Sequence, residues 1–85
     1  MGTTVLHMDT PQQAQQASAA AVTKALREAG VSQRAASEQT GIPLTTLVRR
    51  LTGRSPFLIT ELAALAEVCG CQPADFLAAD VKAAS

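Results

Sequence analysis

Glycines at 30, 41, 53 and 70 and prolines at 11, 43 and 73 cut the chain into short lengths. Proline is at home at the first position of a helix, where its missing N–H is no loss, and glycine just past the last turn, where a positive φ is wanted. Apolar-periodic runs bounded in this way predict helices. Thr10 caps and Pro11 begins a first helix that Gly30 ends, with Gln13 completing a capping box. Ser32 caps a second over Gln33 to Thr40, stopped by Gly41, and Pro43 begins a third that runs to Thr52, stopped by Gly53. A fourth occupies about Ile59 to Cys69 ahead of Gly70, and Pro73 opens a short fifth.

Alanine and leucine outweigh β-branched residues and aromatics make up 2% of the chain, which favours helix over strand and predicts an all-α fold. A length of 85 residues suits one domain with a thin core. The expected organisation is a flexible arm over 1–9, a compact five-helix bundle over 10–79 and a tail over 80–85. Residues 1–9 carry no helical periodicity; a short strand over Thr4 to Met8 is the alternative to a frayed arm. The expected core draws on Ala14, Ala17, Ala21, Val22, Ala25, Leu26 and Ala29 of the first helix and on Leu62, Leu65, Ala66 and Cys69 of the fourth. Phe76 and Leu77 close it.

Several function classes are excluded. No apolar run approaches the ~20 residues of a membrane span, the start lacks a signal-peptide pattern, and Leu6 breaks the myristoylation motif, so a cytoplasmic protein with no membrane partner is expected. Cys69 and Cys71 flank a single glycine, too tight for an ordinary disulfide and without the further ligands of a zinc site; they read as small, reduced core residues. His7 is the only histidine, in the arm. No nucleophile, base and orienting group converge, so no enzyme, cofactor, metal or small-molecule ligand is expected.

Net charge is zero, but its distribution is uneven. Lys24 to Arg54 holds six basic residues against two acidic ones, a net of +4, whereas Ser55 onward holds four acids and one lysine, a net of −3. The molecule should have a basic and an acidic side.

On a helical wheel, Leu44, Leu47, Val48 and Leu51 of the third helix cluster on one side, Thr46 and Arg49 point the other way, and Thr45 and Arg50 flank them. The apolar cluster must be core, which leaves threonines and arginines for something outside. Two short helices joined through Gly41, the second with polar donors on its outer face, form a helix-turn-helix arrangement. Ser37 falls where the two helices cross and Gly41 where the turn needs positive φ, while Ile42 and Leu47 fall where the unit buries apolar groups.

These residues resemble the helix-turn-helix family of phage repressors and Cro-like regulators, the XRE family. The resemblance runs from Val22 to Leu77, through VSQRAASEQTGIPLTTLVRRLTG and then PFLITELAALAEVCGCQPADFL. The series LVRRLTG, PF, EL and LAEVCG is similar to an actinobacterial and actinophage branch of that family. It implies a lambda repressor-like DNA-binding domain whose third helix, about Pro43 to Thr52, enters the major groove of an operator. Carried over by position, Leu44, Thr45, Thr46 and Arg49 would contact bases: Arg49 a guanine, Thr45 by hydrogen bonding, Leu44 or a threonine methyl on thymine. Gln33 would hold a phosphate at the start of the second helix, with Arg34, Arg50, Thr52, Arg54 and Ser55 as further phosphate contacts. Leu51 follows the arginine pair, so Arg50 is expected outside the core, along the DNA backbone. Pro43 stands where the family often has a Ser or Thr cap, and Leu44 replaces a frequent polar reader.

The implied function is a sequence-specific regulator, a homodimer reading two half-sites about one helical turn apart. An integrase accessory or directionality factor is a close variant. A protein-interaction module, antitoxin-like adaptor or other partner-binding use of the acidic side is the reading from a different class. Salt separates them, because a DNA binder with about four to six phosphate contacts per subunit must weaken steeply as salt rises.

Overall fold

The computed structural model describes residues 11–77. The arm, the Thr10 cap and the tail lie outside the described residues. The described residues form four α-helices, α1 (Pro11–Ala29), α2 (Gln33–Thr40), α3 (Leu44–Leu51) and α4 (Ile59–Cys69), followed by one 3-10 turn, Pro73–Phe76. No strand occurs among the described residues. The expected five-helix bundle is thus corrected to four helices and a turn. Proline opens the turn as expected, but Leu77 is already extended at φ −92°, ψ 154°. One turn is enough to deliver Phe76, which is among the largest side chains fully removed from water.

α2 packs against α3 and α4, and α1 lies against α3, α4 and the 3-10 turn. Val22 and Leu26 of α1, Ala36, Ile42, Leu47, and Leu62, Leu65 and Ala66 of α4 meet Phe76 in one core. Each large side chain buried there contributes about 1.5–3 kcal/mol. The inner stripe of α1 is centred elsewhere than its alanines suggest: Ala19 is buried, whereas Ala17 and Ala29 are exposed. Alanine occupies nearly every face of that helix and marks none of them; the larger Val22 and Leu26 decide which face turns in.

Local chemistry fixes the turn between α2 and α3. Ser32 accepts a hydrogen bond from the Ala35 amide at 3.0 Å and starts α2. Gly41 ends it at φ 81°, a left-handed conformation with its amide bonded to Ser37 O at 2.9 Å. The Ser37 hydroxyl donates to Ile42 O at 2.6 Å, tying the turn back to α2, and the Thr40 hydroxyl donates to Ala36 O one turn earlier in the same helix at 2.7 Å. Pro43, at φ −55° and ψ 141°, is the extended residue before α3 rather than its first helical one. Leu47 then drops into the core and sets the angle of α3 on the domain.

Candidate nucleic-acid interface

The orientation of α3 follows from Leu47, which is fully buried. Leu51 and Leu44 stand about 40° and about 60° round the helix on one side of it, and Arg50 about 60° on the other. Thr45, Arg49 and Thr52 stand about 140° to 160° away, and Val48 and Thr46 at about 100° on opposite flanks. Burial matches this wheel: Thr45, Arg49 and Thr52 are exposed, while Leu44, Thr46, Arg50 and Leu51 are half-buried.

Two expectations are corrected here. Val48 is 38% exposed rather than core, and Arg50 is turned inward rather than out. Centring the wheel on the mean of the apolar residues pulls Val48 in and pushes Arg50 out; centring it on Leu47 does the reverse.

Thr45, Val48, Arg49, Thr52 and Arg54 line one open recess. The end of α3 builds its far wall. The Thr52 hydroxyl donates to Arg49 O at 3.0 Å, and the amides of Gly53 and Arg54 fold back to Arg50 O at 3.1 Å and Arg49 O at 3.0 Å. This reversal needs the left-handed conformation of Gly53, φ 80°, and brings Arg54 beside Arg49. Gly53 also lies so close to α1 that a Cβ would sit 3.3 Å from Gln16 Cγ, and Gln15 Nε2 donates to Gly53 O at 3.1 Å. α1 thereby clamps the end of α3. Among the described residues neither Arg49 nor Arg54 is in an ion pair.

Arg50 makes the opposite use of its charge. Its Nε is ion-paired with Glu61 Oε1, its Nη1 donates to Ser55 Oγ at 3.0 Å, and the two charged side chains are only 17% and 12% exposed. The hydroxyl oxygen of Ser55, a residue expected on phosphate, accepts from Arg50. Gln33 and Arg34 are exposed at the start of α2 and do not line the recess.

Cys69 and Cys71 are free, half-buried thiols. Burial, and then the neighbouring Cys71, push the Cys69 thiol up; burial, and then Asp75, push Cys71 up. Both are held protonated near neutral pH and neither touches the recess. Among the described residues no group of three His, Cys, Asp or Glu could hold a metal ion, and no helix is long and apolar enough to cross a membrane.

A family model described as helix-turn-helix, of the XRE type, matches residues 23–76. The chain belongs to the helix-turn-helix family. No curated protein and no solved structure gives a significant match. Membership makes this a DNA-binding regulator of the XRE type with double-stranded DNA as its partner, and α2 and α3 are its helix-turn-helix pair.

Sequence reasoning missed Val48, Glu61 and the Gln15–Gly53 clamp. Glu61 had a visible signal, since an arginine within the inward arc of α3 requires a nearby acid and Glu61 stands in the first turn of the next helix. The clamp had none, as its residues are 38 apart in the chain.

Proposed function

We propose that this protein is a sequence-specific transcriptional regulator of the phage repressor or Cro type that lays α3 in the major groove of an operator. The recess carries this reading: Thr45, Val48 and Arg49 of α3, whose inward side is pinned in the core, stand with Thr52 and Arg54 just past its end, and neither arginine has an ion-pair partner among the described residues. Arg49 suits bidentate contact with guanine O6 and N7, Thr45 hydrogen-bonds a base edge, and Val48 packs on a thymine methyl. Leu44 and Thr46, half-buried at the margins, reach the flanking positions. Arg54 and Thr52 hold phosphate at one end of α3, and Gln33 and Arg34 at the start of α2, where free amides favour an anion. Arg50 and Ser55 act from behind this surface, as mutual partners.

A homodimer reading two half-sites in the cytoplasm completes the picture, and the LVRRLTG, PF, EL and LAEVCG series supports the actinobacterial or actinophage branch of the family. The partner-binding module is favoured by one observation of its own. Leu58 and Ile59 are 53% and 74% exposed, beside an apolar recess lined by Ala14, Pro56, Phe57, Ile59, Leu62 and Leu77.

Fluorescence anisotropy with a labelled duplex from immediately upstream of the encoding gene, beside a scrambled duplex and over a range of salt, tests the reading. Preference for the upstream duplex that falls steeply with salt is the expected result. If neither that duplex nor one selected from a random pool is preferred, the operator-binding reading fails and the partner-binding module takes its place.

A further inference from the structure

α3 and α4 are joined by residues 52–58, which carry Arg54, and one carboxylate ties together the pieces of this joint. Glu61 Oε1 accepts the Leu58 amide at 2.9 Å, while the Glu61 amide returns a hydrogen bond to Leu58 O at 3.0 Å, so the side chain closes the start of α4. The same oxygen is the ion-pair partner of Arg50 at the end of α3, and Arg50 in turn holds Ser55, the neighbour of Arg54. Helix, connection and helix are therefore linked through charge-assisted contacts at two side chains largely shielded from solvent, where screening is weak.

An apolar pair of the same volume would fill this space equally well. It would not fix direction. The guanidinium is planar and its Nη1 donor has a set direction, so its hydrogen bond to Ser55 sets where the connection leaves α3, while Glu61 holds the cation by charge alone, Nε making no hydrogen bond.

We infer that Glu61 is a positioning residue for operator recognition: through Arg50 and Ser55 it holds Arg54 in register with Arg49 and keeps the Arg50 cation off the DNA face. This rests on the proposed reading of α3 as the recognition helix. Without the Glu61 charge, Arg50 is a half-buried cation with no counter-charge and is driven outward toward phosphate. Register with the bases is lost while non-specific attraction is kept or increased.

Glu61→Gln tests this, because the amide oxygen can still accept the Leu58 amide and only the charge is removed. The probe is a duplex selected from a random pool by the wild-type protein, measured beside a scrambled duplex. We expect E61Q to lose about tenfold in preference for the selected duplex with scrambled binding no weaker, the scale of one charge-assisted contact. Arg50→Met should lose similar preference, and the double variant no more than either single one, because all three remove the same link. Hydrogen exchange of the free protein supplies a readout without DNA: amides in residues 52–58 should exchange faster in E61Q.

A lower melting temperature in E61Q with unchanged preference and unchanged exchange would overturn the inference and leave the pair a stabilising contact only. So would additive losses in the double variant. If E61Q does not fold, R50M carries the same comparison. A wild-type protein that enriches no duplex overturns the recognition reading itself, and the inference with it.

Discussion

The two adjacent arginines are predicted to fail in opposite ways. Arg49 is exposed, in no ion pair among the described residues, and its side chain holds no neighbouring element in place. Arg49→Ala should change stability by no more than about 0.5 kcal/mol. On the proposed reading it removes a base contact worth about 1–3 kcal/mol, which is roughly fivefold to more than a hundredfold in operator affinity. Arg50→Ala strands the Glu61 carboxylate, 12% exposed, without its counter-charge and takes the hydrogen bond from Ser55. A fully buried pair broken on one side costs about 3–5 kcal/mol and an exposed one about 0–1; this pair lies between, at about 1–3 kcal/mol. For a domain of this size that is a fall of about 4–20 °C in melting temperature. Thermal unfolding followed by circular dichroism, with anisotropy on the same samples, reads both effects. The reasoning is refuted if Arg49→Ala melts lower than Arg50→Ala. It is refuted equally if Arg50→Ala leaves the melting temperature alone and removes about one unit of salt slope, which is the signature of a phosphate contact.

Three further predictions follow from single contacts. Ser37→Ala leaves Ile42 O, in the half-buried turn, without the 2.6 Å bond from the Ser37 hydroxyl, and should lower stability by about 1–2 kcal/mol in urea unfolding. Gly53→Ala puts a Cβ at φ 80° and 3.3 Å from Gln16 Cγ; the left-handed strain alone costs about 1–2 kcal/mol, and operator affinity should fall with it as Arg54 moves. Cys69 and Cys71 have folded-state pKa values raised above 9.0, so their stabilising effect is fully present below that pH and is lost as pH rises. The melting temperature should fall as pH rises through and above the ordinary thiol value of about 8.5, and fall less in a variant with both cysteines changed to alanine.

Legibility in the sequence followed the range of the interaction. α2 and α4 have the limits their caps announce, because Ser32, Gly41 and Gly70 act within a few residues of themselves. The fold class and the turn were readable for the same reason. The face of α1 was not, since alanine at most positions leaves little apolar contrast, and the register of that helix is decided by what Val22 and Leu26 meet across the core. On α3, Arg49 and Thr52 lie outside as expected, while Thr45, expected on a flank, is exposed and Thr46, expected to point away from the core, is half-buried. Val48 and Arg50 exchanged roles because residue character was allowed to decide what geometry decides: an arginine within the inward arc stays there when an acid waits for it, and a valine outside the arc stays exposed.

The inward turn of Arg50 also changes the electrostatics expected of binding. The segment from Lys24 to Arg54 carries a net +4 in the sequence, but one of its cations is neutralised by Glu61. Of the proposed contacts, Arg34, Arg49 and Arg54 remain as exposed cations outside any ion pair among the described residues. Counterion release counts charges brought to phosphate, and with Arg49 on a base the two cations Arg34 and Arg54 give a slope of about −2 in log affinity against log salt, at the low end for a DNA binder. A single subunit of zero net charge with so shallow a slope has little non-specific affinity to draw on. Two subunits on adjacent half-sites would double it, to about −4. A duplex carrying both halves of a selected site should therefore show about twice the salt slope of a duplex carrying one. Equal slopes on the two duplexes would mean that one subunit does all the binding, and the homodimer would have to be abandoned.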